Sequence, residues 1–443
     1  MLFQETLKKI QGFALQNGAD AVEVMGDVSE NLKASCRLGK KDILESSFSR
    51  EIGIRLIQNK RQIFISSSDL SLESLKTRVL DALSCLPYFP EDPYTGLIEE
   101  GFLKDKIHDE TYADTNHLTL NQLMDRALET ESFALKTPGI SNSENSSASF
   151  SKFERFILSS SGFEGSYKKT YFSSYLSLIA GEMENMKTDY DYDYGLFLSN
   201  LRSTKDIGER AAKRTLGKLN AKHISTNTMP VIFDQRIAGD LFQSFLGGVN
   251  GQSIVRKTSF LKDDMDKTLF PKSIAIKDKS HLKNGRNSRP FDDEGIVADD
   301  LILVENGVLK SWILDHTSAK KLGLKTTGHA KRSLSSPSTP SYSNIVFEGP
   351  THSKSQVIED IDFGFYITDL MGDGGDIVSG SFSSGANGFL IEQGKITTPI
   401  HEATVAGNLK DMFKDLVLCD DFEGKGGLDA PSLFIPKLAV GGQ

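Results

Sequence analysis

Cysteine is scarce in this sequence. Its three thiols, Cys36, Cys85 and Cys419, are widely spaced and odd in number. That excludes a disulfide framework and points to a reducing compartment. No apolar run approaches the roughly 20 residues a membrane span needs, so no membrane partner is expected. Residues 1–20 lack the basic stretch followed by an apolar one that marks a secretory leader; the expected location is cytoplasmic. Basic charge is also short. Lys and Arg number 51 against 60 Asp and Glu, a net charge of −9. Neutralising a phosphate backbone needs a basic surface, so no nucleic-acid partner is expected, and the lysines between 320 and 332 read as solvated faces.

Chemical motifs are sparse too. A zinc site needs three or four His, Cys or carboxylate ligands, often two His one helical turn apart. The eight histidines include no two within five residues of each other. His401-Glu402 opens like H-E-x-x-H, but Val405 and Ala406 stand where a second imidazole is needed. No G-x-S-x-G surrounds Ser381, Ser383 or Ser384, so a self-sufficient serine or aspartate hydrolase has no support in the spacing. Ser318-Ala319-Lys320-Lys321 fits S-x-x-K only formally, on a predicted amphipathic helix. Gly372 to Asp376 is not a phosphate loop, because Asp373 and Asp376 sit where the anion would; those two acids could instead bind a cation. Cys419 follows an apolar run and is expected to pack.

What is present is patterned structure. Apolar spacings of three and four predict helices over 2–17 and from about 70 to 83. Between them lie short strand-like runs within 21–25, 32–38, 43–48, 52–57 and 62–66, with Asn59-Lys60 as a hairpin turn. Helix, antiparallel strands and helix make an α+β module at 1–86. Residues 87–116 hold Pro87, Pro90 and Pro93 and no period, and read as a linker. A central α+β module is expected at 117–222, with a helix over 118–135, a polar loop at 141–147, strands from 148 onward and a helix over 204–219. In Asp189-Tyr190-Asp191-Tyr192-Asp193-Tyr194, an extended chain puts tyrosines on one face and aspartates on the other; the expectation is tyrosines over a core. A strand at 230–233 and a helix capped by Asp234 open a β-rich, barrel-like domain at 223–443. Asn306-Gly307 and Gln393-Gly394, each between apolar runs, predict two hairpins of one sheet.

The stretch from Asp373 to Phe413 is dense in glycine. It is expected to be a loop that enters a strand at Phe389, turns at Gln393-Gly394, ends its second strand at Pro399 and starts a helix near Asn408. Glycine lets backbone approach a ligand closely. Gly374, Gly375, Gly385 and Gly388 are therefore candidates for a cleft walled by main chain, with His401, Glu402 and Asn408 nearby. Arg289-Pro290-Phe291-Asp292-Asp293-Glu294-Gly295 is a charged turn expected to be solvated, although its three acids, Asp292, Asp293 and Glu294, beside Arg289 could hold a metal or a peptide amine; Arg289, Asp292 and Asp293 join the cleft candidates.

That turn, the Asn306-Gly307 hairpin, Lys321-Leu322-Gly323-Leu324 to Gly328, and Ile400 to Phe413 resemble the TldD/PmbA family in its PmbA/TldE branch. The resemblance spans nearly the whole chain and is most specific over 285–415. It implies an N-terminal α/β half, a β-rich C-terminal half, and a cytoplasmic proteolytic complex of two related subunits, with roles in peptide maturation. One subunit carries H-E-x-x-x-H on a helix plus a late cysteine as zinc ligands, with the Glu as general base. Here the corresponding helix is Asp234 to Leu246, which holds Arg236, Ile237, Ala238, Leu241 and Phe242 but no His or Glu. Leu428 to Pro431 stands where the late cysteine is expected, and Cys419 lies earlier. The resemblance thus implies a metal-free subunit with no catalytic or metal-binding residues of its own. Its expected partners are a zinc-bearing, TldD-like paralogue and a peptide or unfolded protein, with a homodimer in isolation. The family's other label, modulator of DNA gyrase, implies an alternative role as a regulatory binding protein.

Overall fold

Val22, Val24, Val28, Leu32, Ala34 and Cys36 recur at even positions, and that alternation organises the first half of the chain. The computed structural model describes residues 2–99, 106–372 and 374–442. Its first elements are α1 (Leu2–Gln16), β1 (Ala21–Arg37), β2 (Lys40–Gln58), β3 (Arg61–Ser67), α2 (Leu72–Cys85), β4 (Ile107–Tyr112), α3 (Leu120–Leu135), β5 (Ile140–Ser159), β6 (Glu164–Ala180), β7 (Lys187–Gly195) and α4 (Thr204–Gly217). Among the described residues they build one sheet, ordered β3-β2-β1-β5-β6, with β4 and β7 sharing the outer edge of β6. The stretches expected as separate modules, 1–86 and 117–222, both feed this sheet, because β1 pairs with β5 from Glu23↔Ser159 to Cys36↔Ser146. The expected linker contains β4; its residues 100–105 lie outside the described residues.

Two expectations change here. The separate short runs within 21–38 and 43–57 are continuous strands, β1 and β2, joined to β3 by Asn59 and Lys60, both at positive φ. Residues 141–147 are not a loop but the start of β5. Ser143 and Ser146 point inward, and the Ser146 hydroxyl donates to the Ala127 carbonyl at 2.7 Å. A helix carbonyl thereby satisfies one buried serine of a stretch that polarity alone reads as solvated, while the Ser143 hydroxyl is buried without a hydrogen-bond partner.

The sheet has two unlike faces. On the even side of β1, Leu7, Ile10, Leu75 and Val79 of α1 and α2 cover Val22 and Val24, and Leu123, Met124 and Ala127 of α3 cover Leu32, Ala34 and Cys36. Each fully buried Val, Leu, Ile or Met side chain among these contributes about 1.5–3 kcal/mol. On the odd side, Met25, Ile157, Phe163 and Tyr167 meet Phe291 and Leu334 of the second half.

That second half comprises β8 (Asn227–Phe233), α5 (Gln235–Gly248), α6 (Gly251–Val255), β9 (Ala275–Asp278), β10 (Leu301–Glu305), β11 (Val308–Leu309), α7 (His316–Leu322), β12 (Ala330–Lys331), β13 (Thr339–Pro340), β14 (Ile345–Glu348), α8 (Lys354–Glu359), β15 (Phe363–Met371), β16 (Ser381–Glu392), β17 (Lys395–Asn408), α9 (Leu409–Lys414), β18 (Val417–Leu418) and β19 (Leu433–Gly441). Strands β17-β16-β15-β8-β19 run side by side, and β19 pairs back onto β17. The result is a closed five-stranded barrel, so the fold is α+β with a β-rich, barrel-bearing C-terminal half. Against it lies a sheet ordered β11-β10-β9-β14, with α5 buried in the shared core. Phe242, Phe270 and Phe413 stack there, with centroids 5.0 Å apart for the last two. Among the described residues no helix is long and apolar enough to cross a membrane.

The two predicted turns form, with Asn306, Gly307, Gln393 and Gly394 all at positive φ. Their hairpins belong to different sheets, however, since β10–β11 lies outside the barrel that holds β16–β17. Strand β16 also starts at Ser381 rather than Phe389, and β17 runs through Pro399 to Asn408. The proline is tolerated at an irregular stretch of the ladder, where a missing N–H costs least. A Cβ on Gly388 would sit 2.0 Å from the Tyr366 carbonyl oxygen, so Gly388→Ala is expected to destabilise the protein by roughly 1–3 kcal/mol. Gly12, in the middle of α1, has no atom within 4 Å of its Cβ position; Gly12→Ala is expected to stabilise by roughly 0.5–1 kcal/mol. Urea melts of the two variants should shift in opposite directions with the slope unchanged.

Candidate functional site

Strand β7 inverts the expected polarity of its Asp-Tyr alternation. Asp189, Asp191 and Asp193 are 4%, 2% and 1% exposed, whereas Tyr190 and Tyr192 are 36% and 38% exposed. The aspartates face α4, which supplies Arg214 at 2.5 Å from Asp191 and Lys218 at 3.0 Å from Asp189. Arg202 reaches Asp191 at 2.8 Å, and Lys425 pairs with Asp193. Buried carboxylates survive because each is paired, and removing a partner from such a pair costs about 3–5 kcal/mol. On the opposite face Tyr190, Tyr192 and Tyr194 stack in a ladder, with centroids 6.0 and 5.8 Å apart.

The ladder leads to the start of α5, the helix whose counterpart is expected to grip zinc. Asp234 caps it, accepting from the Arg236 amide at 3.0 Å. The other Asp234 oxygen accepts from the Tyr366 hydroxyl and lies 3.5 Å from the Lys354 ammonium. Burial alone would raise this carboxyl, but Lys354, the Tyr366 hydrogen bond and Arg236 outweigh it and hold it below the usual range. Arg236 bridges to Asp189 at 3.1 Å. These residues do not fit a zinc ion. The capping carboxylate is fully engaged, two cations flank it, and α5 carries no His, Cys or Glu, with Asp240 as its own carboxylate. Burial, with Asp421 nearby, pushes the Cys419 thiol up to about 12.

The 289–295 turn, expected to be solvated, is buried between the two halves. Arg289, Asp292, Asp293 and Glu294 are all under 10% exposed. Asp292 accepts from the amides of Glu294, Ile296 and Ala330, each at 2.9 Å. Asp293 accepts from the Arg332 amide at 2.8 Å and from Arg155 of β5 at 2.9 Å. Arg155 also grips Asp27 of β1 at 2.7 Å. The turn is thus a clamp across the halves. Sequence reasoning missed Arg155 and Asp27, although charged residues at odd positions of otherwise apolar strands were the available signal.

The remaining candidates scatter. Gly385 and Gly388 lie in β16, which is paired on both sides, so no free main-chain edge exists there. Gly375 packs against Ser244 and Gly374 against Phe382. Gly375 also lines a cavity of about 360 Å³ beside Asp240, Gln243 and Ser244 of α5. Asp376 closes a local turn by accepting from Val378 and Ser379; Asp373 lies outside the described residues. Asn408 caps α9, accepting from the Lys410 amide at 3.0 Å. His401 and Glu402 sit within β17 rather than at its end. The 222–223 segment runs beside them and stacks His223 on His401 at 4.4 Å, with Glu402 3.7 Å from His401. This is the one His and carboxylate trio among the described residues with ligand spacing. Partial burial and the Lys187 charge keep the His401 imidazole below its ordinary value.

The sequence matches three parts of one family: PmbA/TldA metallopeptidase domain 1 over residues 22–85, the central domain over 114–219, and the C-terminal domain over 226–442. It is 31% identical over 427 residues to the metalloprotease PmbA of Escherichia coli O157:H7, covering 96% of this chain and 93% of the relative. It is 30% identical over 445 residues to the metalloprotease PmbA homologue of Haemophilus influenzae, covering 99% and 97%. Among solved structures, a candidate modulator of DNA gyrase from Bacteroides thetaiotaomicron superposes with a TM-score of 0.91 at 25% identity over 99% of both chains. TldE from Thermococcus kodakarensis shares the fold, with a TM-score of 0.86 at 20% identity over 99% of this chain and all of that one.

Burial, reinforced by Asp292 and Asp315, raises the Glu294 carboxyl above its unfolded value. Its contribution to stability is therefore present below the ordinary carboxylate range and lost as pH rises through the raised value. Glu294→Gln, a neutral isostere, is expected to flatten that dependence and to exceed the parent's stability at pH 8 by roughly 1–3 kcal/mol. Urea unfolding at pH 5 and pH 8 reads this; parallel pH profiles for parent and variant would contradict it.

Proposed function

The chain belongs to the PmbA/TldD metallopeptidase family, and from that premise we propose that it is the metal-free subunit of a heteromeric, cytoplasmic protease. The observation that carries this reading is the start of α5. Where a metallopeptidase of this fold needs ligands, Asp234 is engaged by Tyr366, Lys354 and the Arg236 amide. A divalent cation there would face a guanidinium and an ammonium at once. Water activation is then the task of a zinc-bearing paralogue with H-E-x-x-x-H, and this chain contributes to holding a peptide or unfolded segment. The cavity beside Asp240, Gln243 and Ser244 is the place on this subunit for such a segment, since the closed barrel offers no strand edge for one.

The test is peptide cleavage by this chain alone, by the paralogue alone, and by the mixture, each with and without a chelator. The mixture is expected to cleave and to lose activity on metal removal, while this chain alone is expected to be inert. Chelator-resistant cleavage by this chain alone, or stoichiometric zinc in the purified chain, would overturn the reading.

A further inference from the structure

The odd face of the first sheet and the second half enclose a cavity of about 200 Å³ next to the 289–295 clamp. Four cations line it: Arg155, Lys169, Arg289 and Lys331. The lining carboxylate, Asp293, is spent on Arg155 and the Arg332 amide. Arg155 is neutralised by Asp293 and Asp27. The other three have no such ion pair, although Arg289 also acts at longer range on the Asp292 and Asp293 carboxylates. Among the described residues, none of Lys169, Arg289 and Lys331 has a carboxylate within 4.0 Å. Lys169 is 6% exposed, and its ammonium donates to the Arg286 carbonyl at 3.0 Å. Arg289 is 9% exposed; one of its terminal nitrogens donates to the Ala330 carbonyl at 2.8 Å, and the other, Nη2, is buried without a hydrogen-bond partner.

An arrangement of this kind is costly unless something answers it. A buried charge needs a counter-charge, and a buried guanidinium N–H needs an acceptor. Like charges in one enclosure raise the cost further. Burial, then Arg289, Lys331 and Arg286, depress the Lys169 ammonium to about 7. An oxyanion in the cavity would supply acceptors for Lys169 and Arg289 and offset all three charges through charge-assisted hydrogen bonds. Three cations match a dianion better than a single carboxylate.

We propose that this interdomain cavity binds a phosphate group, as free phosphate or as a small phosphomonoester, held by Lys169, Arg289 and Lys331. Neither the peptide-handling role nor the partner's metal is needed for it.

The test is calorimetric titration of the purified full chain, in a low-chloride buffer, with inorganic phosphate, phenyl phosphate and benzoate. Phosphate is expected to bind saturably at one site per chain, and benzoate at least about tenfold more weakly. Equal binding of phenyl phosphate would assign the site to monoesters, and its exclusion would assign it to free phosphate; both outcomes support the proposal. Lys169→Met and the exposed Lys331→Gln are each expected to weaken binding about tenfold, and Lys331→Gln should fold normally because that side chain reaches solvent. No saturable phosphate binding, equal affinity for benzoate, or parental affinity in both variants would overturn the proposal.

Discussion

The structure turns on Arg155. It stands on β5 at the odd face of the first sheet, bonds Asp27 on the adjacent strand, and reaches across to Asp293 in the turn of the second half. A guanidinium can make both contacts because its donors form a planar fork. The pairing is buried, so its loss would strip two carboxylates of their ion-pair partner in low dielectric, a more severe penalty than any single apolar truncation at the surface. This pin joins the halves beside the cavity between them.

The sheet thereby does two jobs with one alternation. Its even face is dry and covered by helices, as an ordinary amphipathic sheet would be. Its odd face carries Arg155, Tyr167, Lys169 and Tyr171 and meets the other half through an apolar patch around Phe291 and through charge and hydrogen bonds. Strand β7 obeys the same rule in reverse register. Its aspartates are drawn inward by the basic residues of α4, and its tyrosines are left half-open beside Arg236. At the start of α5 the same economy of paired charge engages Asp234, which ties the interdomain electrostatics to the proposed division of labour between subunits.

Much of the fold was legible because it rests on local rules. The spacing of Leu7, Ile10 and Ala14 marks α1, Asp234 and Asn408 are good caps and are used as caps, and Asn306-Gly307 and Gln393-Gly394 turn the chain as their φ preferences require. The misreadings share a cause. The 141–147 stretch, the 289–295 turn and the aspartates of β7 are polar, and polarity was equated with solvent. Ser146, the acids of the turn and the aspartates of β7 are buried because partners elsewhere in the chain, Ala127, Arg155 and Arg214, supply hydrogen bonds or charges. Glycines over 385–388 suggested a main-chain cleft, but a closed barrel presses β15 against them.

By itself the sequence determined the main helices, the tight turns, the α+β class, the family likeness and the lack of His, Cys and Glu on α5, because periodicity, turn chemistry and residue identity are local properties. Only the tertiary structure decided that the first two stretches share one sheet, that the conspicuous acidic turn is an interior clamp, and that Lys169, Arg289 and Lys331 converge on one cavity. Convergence of side chains more than a hundred residues apart depends on strand register and on which face of the sheet is covered, and a buried charge can be recognised only once its counter-charge, or the lack of one, is visible.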